Sequence, residues 1–270
     1  MDVKKKEKKI TMTAKKITVI NEKGGVGKSS IVFNCAYELS REARVLMIDL
    51  DSQRANLTWI SGIRDTEDNP VRESLFTMCD VVTGVKTMKE CAITLKENLD
   101  IIPANYKIIS LPTIGSHRKM KEALKQVEND YDYIFIDVDP TPSLIHKFAL
   151  MSTDYAIIPM LPDILSLEAN TGVVEDVKDS RADGNKDLKV LGILFNKNVD
   201  RYNLTKQVAV IADDMAAEMG TTVFKTKIRN AVSMSECPLT HECITEYDHD
   251  SAVAQDIRDL VKEIKERARW

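Results

Sequence analysis

Short, largely apolar runs recur along the chain, and stretches with polar residues at helical spacing separate them. An apolar run of roughly four to eight residues predicts a strand that is buried on both faces of a sheet. Such runs lie at 17–20, 43–51, 98–105, 131–137, 154–160 and 188–195. We therefore expect a strand in each of these segments.

Amphipathic segments predict helices between these strands. Helical patterns cover 31–39, 71–79, 87–95, 119–127, 165–177, 203–218 and 251–267. Strands and helices that alternate in this way predict a single α/β domain. Its sheet is expected to be doubly wound and mainly parallel, with helices on both faces.

The first residues differ from the rest of the chain because they are polar and rich in lysine. We expect residues 1–16 to form a basic, flexible arm and residues 17–270 to form the folded domain. The arm has two interpretations, a solubilising tail or a non-specific contact with DNA or a partner protein.

Composition narrows the classes of function. Charged residues make up 30% of the 270 residues and the formal net charge is -4, so any basic patch for nucleic acid must be local. No apolar run is long enough to span a bilayer, and the basic first residues lack the apolar segment of a signal peptide. The five cysteines are scattered and odd in number, which favours a reducing cytoplasm. Zinc at Cys237, His241 and Cys243 is disfavoured because a fourth ligand is missing.

The most informative stretch is the glycine-rich segment 23–30, KGGVGKSS, which lies between the first predicted strand and the first predicted helix. A strand, a glycine-rich turn and a helix in this order are typical of a phosphate-binding loop. Gly24, Gly25 and Gly27 lack a Cβ, so backbone N–H groups can surround an anion at the positive end of the helix. Lys28 is then placed to bind the β- and γ-phosphates, and the Ser29 hydroxyl to ligate Mg²⁺.

Aspartates stand at the ends of two predicted strands. Asp49 and Asp51 close the run 43–51, and Asp137 closes the run 131–137. Ligands of an open α/β sheet bind beyond the carboxyl ends of its strands. Asp137 is therefore expected to hold Mg²⁺ through water beside Ser29. Of Asp49 and Asp51, one could face Mg²⁺ and the other could face the γ-phosphate.

Taken together, these segments resemble the ParA/MinD ATPases. Segment 23–29 is similar to their deviant Walker A motif K-G-G-x-G-K-[ST], 49–53 to D-x-D-x-Q, and 98–105 to N-L-x-x-I-P-A-N. Segment 228–236 resembles I-R-x-N-x-x-x-S-E, with Ala231 where the family has asparagine. The resemblance covers nearly the whole chain from Lys16 and implies a P-loop NTPase fold of the deviant Walker A type.

One departure from the family pattern follows Asp137. The family continues D-x-P-P-S, whereas this chain has Asp139 in place of the first proline. A carboxylate near the expected γ-phosphate would weaken nucleotide binding by repulsion or alter the switch loop.

The resemblance implies a DNA-partition ATPase that uses ATP and Mg²⁺. Asp51 would orient the attacking water, and Lys23 would reach the nucleotide of the other subunit in an ATP-bound homodimer. With Lys28, these are the implied catalytic residues. The implied nucleotide contacts are Gly24, Gly25, Val26, Gly27, Lys28, Ser29, Ser30 and, near the adenine, Asn196; the implied metal residues are Ser29, Asp49 and Asp137.

The resemblance also implies partners. The implied partners are non-specific DNA and a ParB-like centromere-binding protein. With these partners, the protein would be cytoplasmic and associated with the nucleoid, and it would not bind a membrane. The candidate DNA contacts are Lys225, Lys227 and Arg229, which would share one face of an extended strand, and Lys262 and Lys265 in the last predicted helix. The other interpretation of these residues is a solvated surface.

Two further functions compete with this one. A MinD-like positioning ATPase would cycle on a membrane, but the acids in the last helix argue against a membrane tail. If Asp139 has abolished ATP hydrolysis at the site, the protein would be an adaptor that is controlled by nucleotide binding alone. An iron–sulfur role is disfavoured because the cysteines are not placed for a cluster between two subunits.

Overall fold

The structure, a computed structural model, describes residues 13–63, 75–114, 116–141, 144–199 and 203–269. Within these residues a seven-stranded sheet forms the centre of the molecule. Its strands are Lys15–Val19 (β1), Val45–Leu50 (β2), Ile93–Lys96 (β3), Leu99–Ile102 (β4), Tyr133–Val138 (β5), Tyr155–Met160 (β6) and Lys189–Phe195 (β7).

The strand order is β3-β4-β2-β5-β1-β6-β7, with crossovers to both sides of β1. All neighbouring pairs are parallel except β3 and β4. The predicted doubly wound, mainly parallel sheet is therefore confirmed. The carboxyl ends of β1, β2 and β5 lie together at the centre of one edge.

Helices cover the sheet on both faces. Those before β5 are Lys28–Leu39 (α1), Asn56–Ile60 (α2), Met78–Val82 (α3), Met88–Cys91 (α4), Leu111–Ile114 (α5) and His117–Lys125 (α6), with a 3₁₀ turn at Tyr106–Ser110. Those after it are Leu144–Ser152 (α7), Ile164–Ala182 (α8), Asn203–Glu218 (α9), Ser233–Thr240 (α10), Ile244–Tyr247 (α11) and Ala252–Arg267 (α12).

The sheet separates two apolar cores. On β5, Ile134 and Ile136 belong to one core and Phe135 to the other, because successive side chains of a strand point to opposite faces. Helices α6, α7 and α8 cover the first core, and α1 and α12 cover the second. Strands that are buried on both faces explain the unbroken apolar runs of the sequence.

The helix predicted over 87–95 is wrong in its second half. Helix α4 ends at Cys91, and β3 follows from Ile93 to Lys96. Thr87 and Glu90 form a capping box that starts the helix, but the strand is fixed by pairing with β4. Asn98, with a φ of 62°, makes the tight turn between them. The partner strand β4 lies outside the segment 87–95, so the pattern of that segment alone does not indicate the pairing.

Two other predicted boundaries also move. The sheet begins at Lys15, so the last residues of the expected arm belong to β1, and residues 1–12 lie outside the described part. Lys16 is buried, and its Nζ lies 3.3 Å from Asp154 Oδ2. Of the helix predicted over 71–79, residues 71–74 lie outside the described part, and α3 begins at Met78.

The described helices include none with both the length and the apolar character needed to cross a bilayer.

Replacing Phe135 by alanine should destabilise the fold strongly. Phe135 is fully buried on a central strand, and loss of such a ring leaves a cavity that costs about 3–5 kcal/mol. Urea unfolding should show this loss, whereas Ile109→Ala, at a site that is 72% exposed, should change stability by less than about 0.5 kcal/mol. Equal effects of the two changes would contradict this placement of the core.

Candidate functional site

The glycine-rich loop joins β1 to α1 at the carboxyl edge of the sheet. Helix α1 begins at Lys28, and its N-cap residue Gly27 has a left-handed φ of 93°. No side chain caps this helix end. Its first N–H groups therefore keep their donor capacity for an anion, which the helix dipole also favours.

A side chain from the end of β7 shapes this loop. Asn196 is buried, and its Nδ2 donates to the carbonyl of Val26 at 2.7 Å. A Cβ on Gly27 would lie 2.2 Å from that nitrogen, so only glycine fits. The amide of Asn196 thus positions the loop, while its contact with adenine stays a prediction.

A cavity of about 550 Å³ opens above the loop, a volume suited to a nucleotide. It combines residues that are far apart in sequence, from the loop, the end of β2, the end of β7 and the segment before α10. Its lining includes Gly24, Gly25, Gly27, Lys28, Ser29, Ser30, Asp51, Asn196 and Arg229. Val26 is buried beneath them.

Lys28 is the cation of the site. Its Nζ donates to the backbone carbonyl of Asn21 at 3.0 Å and lies 3.4 Å from that of Lys23. Burial lowers the pKa of Lys28, while Asp137 and Asp51 oppose that change. The ammonium of Lys28 is therefore bound by neutral carbonyl groups near acidic side chains. A phosphate in the cavity would stabilise it further.

Asp137 is a buried carboxylate without a hydrogen-bond partner. It ends β5 opposite Asp49 of β2, and neither of its oxygens accepts a hydrogen bond within the described residues. Burial and then Asp49 raise its pKa well above the usual range, and the nearby Ser29 hydroxyl partly offsets this without forming a well-aligned bond. Oxygen ligands left unpaired beside a hydroxyl fit a Mg²⁺ site.

Asp49 of β2, unlike Asp137, has several hydrogen-bond donors around it in the described part of the chain. Asp49 accepts hydrogen bonds from the amides of Asp51 and Thr58 and from the Thr58 hydroxyl, at 2.7–2.9 Å. Burial raises the pKa of Asp49 to about 6. Both oxygens of Asp49 accept hydrogen bonds. We therefore expect Asp49 to support a metal site at this edge of the sheet rather than to bind the ion directly.

Asp51 does line the cavity. Its Oδ1 accepts from the amides of Gln53 and Arg54 at 2.9 and 3.0 Å, and its Oδ2 lies 3.2 Å from Asn56 Nδ2. These bonds fix the carboxylate at the cavity wall, where it can orient a water molecule.

Comparison with known proteins identifies the family. Residues 14–190 match the AAA domain family. The chain is 32% identical over 257 residues to the sporulation initiation inhibitor protein Soj of Bacillus subtilis, covering 92% of this chain and 97% of that protein. The chain belongs to the ParA-type partition ATPases.

Two further comparisons are consistent with this family. The chain is 27% identical over 262 residues to the chromosome partitioning protein ParA of Caulobacter vibrioides, covering 94% of each. The structure of an ATP complex of a Cyanothece McdA variant shares the fold, with a TM-score of 0.80 at 17% identity over 94% of this chain and 97% of that chain.

The lysine that distinguishes the loop of the ParA-type ATPases does not line the cavity here. The Nζ of Lys23 donates to Asp163 at 2.8 and 3.0 Å and to Ser166 Oγ at 3.0 Å. Asp163 also caps helix α8 by accepting from the Ser166 amide. Sequence reasoning missed both partners, because a sequence separation of about 140 residues gives no local signal.

Asp139, the departure from the ParA-type pattern, is buried close to the site. Its Oδ1 accepts no hydrogen bond within the described residues, and burial raises its pKa. Next to it, the Thr141 hydroxyl accepts from Gln53 Nε2 at 2.8 Å. This contact links the segment after β5 to the segment after β2, both at the cavity.

The candidate DNA contacts separate into two groups. Lys225, Lys227 and Lys262 are exposed. By contrast, Arg229 forms a two-pronged ion pair with Asp256 at 2.7 and 2.8 Å, and Lys265 pairs with Glu42.

The expected strand around these residues is wrong. The described segment makes isolated bridges at Val223 and Arg229 instead of a continuous strand. Lys225 and Lys227 nevertheless alternate with buried Phe224 and Ile228 and so share an exposed side.

Gly27→Ala should abolish tight nucleotide binding. The added methyl group would collide with Asn196, and the left-handed φ costs about 1–2 kcal/mol for a residue with a Cβ. We expect ATP affinity to fall at least about tenfold, a loss of roughly 1.4 kcal/mol in binding free energy, measured by calorimetry.

Gly84→Ala is the matched control for backbone strain. Gly84 also has a positive φ, of 77°, but a Cβ there meets no atom within 4 Å. It should lose similar stability and keep its ATP affinity. If Gly27→Ala bound ATP normally, the role assigned to this glycine would be wrong.

Proposed function

We propose that this chain is an ATP-driven partition ATPase that works as a dimer. The observation that carries the proposal is the opposite placement of the two loop lysines. Lys28 lines the cavity, whereas Lys23 does not line it and its ammonium is bound by Asp163. A single site needs only one of them, so the other is available to the neighbour's nucleotide.

The residues of the cavity suit MgATP. Ser29 and Asp137 would hold Mg²⁺, which when bound neutralises charge on the phosphate oxygens. Lys28 and the N–H groups at the start of α1 would bind the phosphates. Asp51 would orient the attacking water, and Asp49 would keep the end of β2 in place.

Lys23 must leave Asp163 before it can reach a partner. The side chains of this ion pair are 24% and 38% exposed, and pairs of this kind contribute only about 0–1 kcal/mol. The cost of release is therefore small compared with the attraction of a lysine for a phosphate in a closed interface. Asp163 and Ser166 would hold the lysine ready in the free subunit.

The cycle that follows has three stages. ATP-bound dimers would bind DNA without sequence preference. A ParB-like partner would then stimulate hydrolysis and release them from the DNA. The cargo, a plasmid or a chromosome origin, would follow the resulting gradient. The lysines at 225, 227 and 262 are exposed and would contribute to the basic surface that binds DNA. A nucleoid-associated, cytoplasmic location would follow from this cycle.

A second candidate is an adaptor that binds ATP without hydrolysing it. The buried carboxylate of Asp139 favours it, because a negative charge near Asp51 and Lys28 would oppose the phosphate. Phosphate release separates the two functions.

Lys23→Ala and Asp51→Ala should have opposite effects on the dimer. Without Lys23, ATP should still bind but should not join two subunits. Without Asp51, ATP should join them but hydrolysis should fall by about 100-fold or more, which traps the dimer. Light scattering after gel filtration with ATP, together with phosphate release, measures both outcomes.

Two results would reject the proposal or part of it. Normal dimers of Lys23→Ala would remove the role of the lysine in the neighbour's site. ATP-dependent dimers of the wild type without any phosphate release, with DNA and partner present, would favour the adaptor. Lys28→Ala is the control that should lose ATP binding itself.

Removing both Lys225 and Lys262 should weaken DNA binding in a salt-dependent manner. Each lysine that contacts a phosphate contributes about 0.9 to the slope of log affinity against log salt, so the slope should shrink by about 2. Lys265→Ala, in the same helix as Lys262 but paired with Glu42, should leave the slope unchanged. An unchanged slope in the double variant would place the DNA surface elsewhere.

A further inference from the structure

A second polar cluster lies next to the glycine-rich loop but outside the nucleotide cavity. It consists of Glu22, which precedes Lys23, His146 of α7 and Asp176 of α8. One ligand atom from each lies within 4.8 Å of the others. His146 is fully buried, and the two carboxylates are partly buried.

The hydrogen bonds of His146 fix which ring nitrogen carries a proton. Nε2 lies 2.9 Å from the backbone carbonyl of Asp139, which can only accept, so Nε2 must donate. Nδ1 faces Asp176 Oδ2 at 3.2 Å. In a neutral ring Nδ1 carries a lone pair, and a lone pair facing a carboxylate is repelled. A proton or a metal ion must therefore lie between Nδ1 and Oδ2.

The spacing and surroundings fit a metal ion. Two ligand atoms at about 2.1 Å from a tetrahedral zinc ion are separated by about 3.4 Å, close to the distance between Nδ1 and Oδ2. Histidines that bind metals donate their other ring N–H to a carbonyl or carboxylate, as Nε2 does here. Two carboxylates also provide more negative charge than one additional proton would balance.

Helix α8 leaves room for the third ligand. The carboxylate of Glu22 lies over Gly172, where a Cβ would be 2.3 Å from either oxygen. A side chain at position 172 would therefore push Glu22 away from Asp176. Burial, followed by the charge of Asp176, raises the pKa of Glu22, and His146 partly opposes this change.

We propose that Glu22, His146 and Asp176 form a binding site for a divalent transition-metal ion of the zinc type. Nδ1 of His146 and one oxygen from each carboxylate supply three ligands, and water would complete the coordination. The site is separate from the Mg²⁺ site at Ser29 and Asp137, and it does not depend on ATP hydrolysis.

The position of the ion gives it a regulatory role. It would tie the residue before Lys23 to α7 and α8. Through His146 it would also hold the backbone of Asp139 at the nucleotide cavity. Metal binding would thus hold the residue before Lys23 and the backbone at Asp139 in fixed positions next to the nucleotide cavity.

Zinc titration of the full, nucleotide-free chain tests the site. Calorimetry with zinc chloride should show one bound equivalent in the wild type. Glu22→Gln and Asp176→Asn keep the shape of the side chains but remove ligand charge, so each should weaken binding at least about tenfold. Asp179→Asn removes the same charge from an exposed position of α8 and should bind zinc like the wild type.

Cobalt(II) provides a second measurement that does not depend on the variants. Histidine and carboxylate ligands should give visible absorption without the near-ultraviolet band of cobalt bound to thiolate, which a site at Cys237 and Cys243 would show. Absence of zinc binding would overturn the proposal, with a proton between His146 and Asp176 taking the place of the ion. Equal binding by wild type, Glu22→Gln and Asp176→Asn would also overturn it.

Discussion

The concentration of carboxylates at one edge of a parallel sheet is the constraint on which the site depends. The register of β2 and β5 places Asp49 directly beside Asp137, and both are fully buried. Burying a charge is costly unless it is paired or hydrogen-bonded. Three donors satisfy Asp49, whereas Asp137 has none among the residues that the structure describes, so a cation beside Asp137 would be stabilised.

The same constraint explains the positions of the lysines. Lys28 is the cation that the loop brings to these acids, and it is held by carbonyls rather than by a carboxylate of its own. Lys23 is held by an acid on the outer side, away from the aspartates. These two lysines of one short loop therefore differ in what they contact, although their side chains are chemically the same.

Sequence patterns predicted those parts of the molecule that depend on local or periodic information. The strand, loop and helix around Lys28 were predictable because the glycines and the apolar run are contiguous, and the aspartates at strand ends were predictable because parallel strands share an edge. The antiparallel β3 was not predictable, since its conformation follows from a partner strand.

Contacts between segments that are far apart in the chain could not be predicted from the sequence either. Asp163 meets Lys23, Asp256 meets Arg229, and Asp176 meets His146, each through the packing of separate elements. None of these acids belongs to a motif, and any of many surface acids was an equally good candidate. Arg229, which the sequence offers as a candidate DNA contact, forms an ion pair with Asp256, and its contact with DNA stays a prediction.

The reversed strand β3 has a consequence for how copies of the chain can meet. An exposed sheet edge is a template to which another chain can add a strand. Here the edge strand is only four residues long, contains an irregularity between Thr94 and Lys96, and carries a lysine that pairs with Glu246. Such an edge resists strand addition and amyloid-like growth on the β3 side of the sheet.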